Sequence, residues 1–90
     1  MDIKTAEALS LLIMRINSQL NDSVAFVRDK GSSEDLQWYR REAGKIMGGL
    51  HLDVQERLWS EHPSLRTREM DGDYLVDPSN FEPRFYRWTE

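Results

Sequence analysis

Arg40 to Leu58 reads RREAGKIMGGLHLDVQERL, and this stretch decides the fold because it sets Gly44, Gly48 and Gly49 inside an otherwise strongly periodic helix. Its apolar residues Ala43, Met47, Leu50, Val54 and Leu58 recur every three or four positions, which places them on one helical stripe. Followed outward, that stripe reaches back to Leu36, with Tyr39 and Ile46 flanking it, and predicts a helix from Glu34 to about Glu61. The opposite side carries Trp38, Lys45, Leu52 and Trp59 at intervals of seven, a second and weaker stripe with Gly48 and Gly49 between its members. An interior glycine costs about 1 kcal/mol relative to alanine, so a packing gain should offset the three of them. The Gly44-x-x-x-Gly48 spacing permits close helix approach and predicts that a bulky neighbour fits there, with a bend at Gly48-Gly49 also compatible.

Upstream, Ala6, Leu9, Ile13, Ile16, Leu20, Val24 and Val27 mark a first helix from about Ile3 to about Lys30. Ile3, Leu11 and Met14 lie on its far side, and a helix apolar on two faces expects two neighbours, the second being either another subunit or the C-terminal tail. Between the helices, Gly31 suits a left-handed C-terminal cap, and Ser32 with Asp35 three residues on approximates a capping box. A connection this short forces an antiparallel hairpin of residues 1–62.

Pro63 stops the second helix, and residues 63–90 change character. Asp71-Gly72 is a turn signal that predicts a small β-hairpin between Arg66–Met70 and Asp73–Val76, and Asp77-Pro78 predicts a capped helical turn reaching Glu82. Tyr74, Phe81, Phe85, Tyr86 and Trp88 make this segment too aromatic for a free linker, so it is expected to lie across the hairpin as part of one domain.

Composition excludes several roles. Lys and Arg total 12 against 16 Asp and Glu, a net charge of -4, which argues against a nucleic-acid binder needing a basic face. The most apolar run, Leu9 to Ile16, is broken by Ser10 and Arg15 and is too short for a membrane span, and no targeting leader is read. With no cysteine there is no disulfide, thiolate site or cysteine nucleophile, so a reducing cytoplasm is the expected setting. His51 and His62 lack metal partners at helical spacing. Asp71, Asp73, Asp77 and Glu82 follow a calcium-loop template in part, but Val76 stands where that loop needs glycine and Leu75 replaces a ligand. Neither a nucleophile elbow nor a phosphate-cradling glycine loop is found, so no catalytic residue, cofactor or metal is assigned.

The run RREAGKIMGGLHLDVQERLWSEHPSLR, Arg40 to Arg66, resembles a group of short bacterial proteins of no assigned function, in which a similar glycine-bearing helix leads into a His-Pro stop. That resemblance implies a helical fold and a bacterial cytosolic origin, and it transfers no activity. The expectation is therefore an all-α chain, a long antiparallel helical hairpin with an irregular tail, that forms a homodimeric four-helix bundle. The residues expected at its contacts are Leu11, Met14, Trp38, Gly44, Gly48, Gly49, Leu52 and Trp59. A regulatory adaptor or inhibitor that anchors a protein partner through the tail aromatics is the alternative. An enzyme with a site at a subunit contact ranks third.

Overall fold

A computed structural model describes residues 1–87, and Trp88 of the aromatic tail lies outside the described residues. Helix α1 spans Ile3–Lys30, begun by Asp2, whose carboxylate accepts the Thr5 amide at 2.7 Å. Helix α2 spans Ser33–Gly49 and opens with the expected capping box: Ser32 Oγ accepts the Asp35 amide at 3.1 Å and Asp35 Oδ2 accepts the Ser32 amide at 3.0 Å. Gly31 is not left-handed as expected but extended, with φ -101°. Glycine suits the position for another reason, since a Cβ there would sit 3.0 Å from the Val27 carbonyl oxygen and 3.1 Å from Asp35 Oδ2.

The helical path continues past Gly49, but its hydrogen bonding changes. Leu50–Gln55 form a π-helical turn, closed by the Glu56 amide donating to the His51 carbonyl, before a short α3 over Glu56–Glu61. A π-turn holds one extra residue, so every side chain beyond it is rotated by about 100° relative to an unbroken α-helix. The predicted heptad stripe therefore fails at Trp59. An unbroken helix would turn Trp59 outward with Trp38 and Leu52, whereas here it is only 4% exposed and packs with Ala6, Leu58 and Leu65. Gln55 turns inward by the same shift.

The two long helices run antiparallel. Ser23 Oγ and Tyr39 Oη are 2.7 Å apart near the connection, and Ser10 Oγ donates to Gln55 Oε1 at 3.0 Å far from it. The molecule is 44 Å in its longest dimension, as expected of a pair of helices this length. Gln55 returns a bond from Nε2 to the Ser10 carbonyl at 3.1 Å, and Trp59 Nε1 donates to Ser10 Oγ at 3.3 Å. This small polar net crosses an otherwise apolar core, completed by Leu9, Met14, Val54, Met70 and Tyr74.

Pro63 ends α3 as expected, after which Leu65 joins Leu58 and Trp59 in the core and the later tail is tied along α1 from Glu7 to Asp29. The predicted β-hairpin does not form. Thr67 and Tyr74 make a single isolated parallel bridge, with the Tyr74 amide donating to Arg66 and the Arg68 amide to Tyr74. Asp71 takes the left-handed conformation at φ 64°, and the loop folds back so tightly that a Cβ on Gly72 would fall 2.0 Å from the Arg66 carbonyl oxygen. Pro78–Phe81 form a turn of 3-10 helix, with Asp77 accepting the Ser79 amide at 2.9 Å and Glu82 as its C-cap. Among the described residues there is no strand, so the chain is all-α with two long helices. No helix of the described residues is long and apolar enough to cross a membrane.

Candidate interaction surfaces

Helix α2 buries Ala43 against α1 and leaves its outer side bare. Trp38 is 59% exposed, Ile46 52% and Leu52 67%. Nothing lies within 4 Å of where a Cβ would stand on Gly44 or Gly48, and Gly49 has only Asp53 Oδ2 at 3.8 Å. Neither the tail nor any other described part of the chain covers these glycines. The Trp38 ring leans on Tyr39, with centroids 5.9 Å apart, so it stands clear of the glycine backbone.

The remaining contact residues read from the sequence fall elsewhere. Trp59 is in the core, while Leu11 and Met14 lie beneath the tail, where the Asn80 amide donates to the Leu11 carbonyl at 3.0 Å. Four further ties hold the tail to α1. Tyr74 Oη donates to Glu7 at 2.7 Å, Arg15 Nε to the Asn80 carbonyl at 2.7 Å, Arg84 Nε to Asp22 at 2.8 Å, and Tyr86 Oη to Asp29 at 2.8 Å. Arg84 closes a second bond to Asp22 through Nη2, making a bidentate pair around a fully buried carboxylate. Phe26 packs edge-on to both Phe85 and Tyr86.

Electrostatics follow these ties. The Glu7 carboxylate favours the protonated phenol and pushes Tyr74 up to about 12, and Asp29 raises Tyr86 in the same way. Hydrogen bonds from Arg28 and then Tyr86 hold Asp29 below the ordinary carboxylate value. Backbone amides at Thr5, Ser32 and Ser79 do the same for Asp2, Asp35 and Asp77.

Between the middle of α1, Trp59 and the segment 67–84 lies an open groove of about 740 Å³, walled by Met14, Met70, Tyr74, Leu75 and Phe81 among others. Asn17 lines it, and its Oδ1 is buried without a hydrogen-bond partner. Beside the groove, Glu56 sits 3.7 Å from His51 Nε2 and 3.5 Å from Arg66 Nη1, and the Arg66 guanidinium stacks over the Trp59 ring at 5.6 Å. At 3.7 Å the His51–Glu56 pair is longer than a hydrogen bond and about a third exposed on both sides. Among the described residues no group of three His, Cys, Asp or Glu converges closely enough to hold a metal ion.

The buried polar residues Ser10, Asp22, Gln55 and Thr67 were not picked out by periodicity, which weighs apolar letters and treats polar ones as solvent-facing. The one signal available was that Ser10 interrupts the apolar run from Leu9 to Ile16. These surfaces belong to an all-α protein of two long helices with an aromatic tail tied along the first. Compared with family models, with curated proteins and with solved structures, the chain finds no match.

Proposed function

We propose that the chain is a self-associating interaction module, two protomers joining through the outer side of α2 into a four-helix bundle. The observation that supports this is the open glycine face: Trp38, Ile46 and Leu52 are each more than half exposed, and an added Cβ would meet nothing within 4 Å at Gly44 or Gly48. Large apolar side chains around uncovered backbone are what a self-complementary two-fold contact uses, since each indole can lie on the glycine backbone opposite. A chain of 90 residues also gains from a partner subunit, because a domain this small buries a limited share of its surface. A bacterial cytoplasmic setting, with neither nucleic acid nor membrane as partner, belongs to the same proposal and rests on the acidic balance and the absence of cysteine.

Sedimentation equilibrium at micromolar concentration tests it, with Gly48→Leu as the informative variant. In a lone protomer that change fills open space and gains about 1 kcal/mol of helix propensity. In the proposed dimer it blocks the indole. Wild-type dimer and a folded, monomeric Gly48→Leu variant are the expected results; a wild-type monomer, or a variant that dimerises unchanged, would overturn the reading. The adaptor alternative draws support from Leu75 and Phe85, which remain largely exposed on the tail. It requires that a specific partner captured from a bacterial lysate be lost when residues 77–90 are deleted and the helix pair stays folded.

A further inference from the structure

We propose that the small pocket where the C-terminal half of α1 meets α2 binds the phosphate group of a small phosphorylated molecule between Arg28 and Arg40. The two arginines come from different helices, and Asn21, Val24 and Ala25 complete the lining. Asn21, Val24 and Arg28 follow one another on α1 at intervals of three and four, which sets them on one face, and Arg40 reaches the same pocket from the second turn of α2. None of Trp38, Ile46 and Leu52 lines it, so the site stands apart from the proposed dimer contact.

Charge selects the occupant. No carboxylate lines this pocket, so two like charges share it. Arg28 commits its Nε to Asp29 at 2.9 Å, which offsets one of the two charges and leaves the terminal amino groups of the guanidinium for another acceptor. Glu42 on α2 is taken by Lys45 at 3.3 Å, and among the described residues Arg40 makes neither a hydrogen bond nor an ion pair. An anion between the two guanidinium groups relieves their repulsion and accepts from both. Size and shape narrow its chemistry. A volume of about 130 Å³ is under half of the about 300 Å³ at which small-molecule pockets begin, so the pocket takes a head group and leaves the remainder of the ligand in solvent. A planar carboxylate presents one edge and is served by a single guanidinium fork. Two forks carried on separate helices suit a tetrahedral oxyanion, whose oxygens point in several directions, and the Asn21 amide adds a neutral donor beside them.

Methyl phosphate and inorganic phosphate are the probes, with acetate as the carboxylate control. Titrated into the intact protein at constant ionic strength and followed by amide chemical shifts, both phosphates are expected to give saturable changes confined to Asn21–Arg28 and Gln37–Arg41. Acetate should bind at least about fivefold more weakly, the ratio for the loss of one net hydrogen bond. Arg28→Gln and Arg40→Gln should each weaken methyl phosphate about tenfold, as the loss of a charge-assisted hydrogen bond does. Both side chains are exposed, so these variants keep the wild-type amide spectrum elsewhere. Arg41→Gln, turned about 100° around α2 from Arg40, should leave the affinity unchanged. So should Gly48→Leu, which separates this site from self-association. Equal losses in all three arginine variants would mean a diffuse positive field and overturn the proposal. So would acetate binding as tightly as methyl phosphate, inorganic phosphate binding where methyl phosphate does not, or no saturable shift with either phosphate.

Discussion

Removing the Gln55 amide should cost more than its polar character suggests, because the side chain is 2% exposed and holds two bonds to Ser10 across the helix pair. Gln55→Ala leaves a cavity and strips the Ser10 carbonyl of a donor. Together these are expected to destabilise the fold by about 3 kcal/mol, lowering the melting temperature by roughly 10–20 °C. Gln37→Ala, on the exposed side of α2, should stay within about 0.5 kcal/mol of wild type. Equal melting temperatures for the two variants would remove Gln55 from the core's account. Tyr74 makes a prediction in pH. Its folded value is about 12, above the ordinary 10, because the phenol donates to Glu7. The bond therefore stabilises the fold fully below pH 10 and its contribution is lost as pH rises through 12. Tyr74→Phe should lower stability at pH 8 by about 1 kcal/mol and flatten the alkaline decline of urea midpoints; an unchanged alkaline slope would mean that the Glu7 contact does not persist in solution. None of these roles was legible beforehand, since a glutamine or tyrosine letter does not reveal which partner a distant segment will bring to it.

The π-turn at Leu50–Gln55 should tolerate deletion of one residue, because it already contains one more than an α-helix needs. Deleting exposed Asp53 is expected to convert the turn to α-helix and leave Leu50, Leu58 and Trp59 facing α1, at a cost of no more than about 2 kcal/mol. Deleting Gln19, equally exposed but within regular α1, rotates half of that helix by about 100° and should abolish cooperative thermal unfolding. Circular dichroism melts of the two deletions decide the matter, and equal damage would show that the extra residue carries no slack. Legibility at this scale follows from what fixes each feature. The bounds of α1, the capping box at Ser32 and the stop at Pro63 were all readable, because each depends on residues within one or two turns. The π-turn was not, because it arises where Gly48 and Gly49 weaken the helix and a distant Ala6–Ser10 surface rewards burial of Trp59. The Asp71-Gly72 signal was right about a reversal and wrong about its form. Pairing of Tyr74 with Arg66 and Arg68 is set by the tail's docking on α1, and the local turn does not encode it.

At the scale of the whole molecule, α1 meets both α2 and the tail, and the tail answers its apolar surplus at Leu11 and Met14 from within the chain. The glycine face of α2 gains no such cover, so the two surpluses that looked alike in the sequence have different standing in the fold. Much of the tail's hold is polar, and its strongest point is Arg84 on Asp22, where the carboxylate is fully buried and the arginine side chain 28% exposed. Arg84→Ala should cost about 3 kcal/mol, the low end of the range for breaking a buried pair. That is a large part of the roughly 5–13 kcal/mol available to a domain of this length. Arg84→Lys should recover little, since a point charge cannot reproduce the bidentate fork. The exposed Arg28–Asp29 pair provides the contrast: Arg28→Ala should leave the urea midpoint where it is, because a solvent-exposed ion pair is screened. Urea midpoints measure all three, and limited proteolysis locates the effect. Loss of the Arg84 clamp is expected to open cleavage between Asp77 and Arg87 while the helix pair resists. If Arg84→Ala unfolds no more readily than Arg28→Ala and its tail stays protected, the tail must be held by Phe26, Phe85 and Leu11 instead, and apolar contact would then be what closes this side of α1.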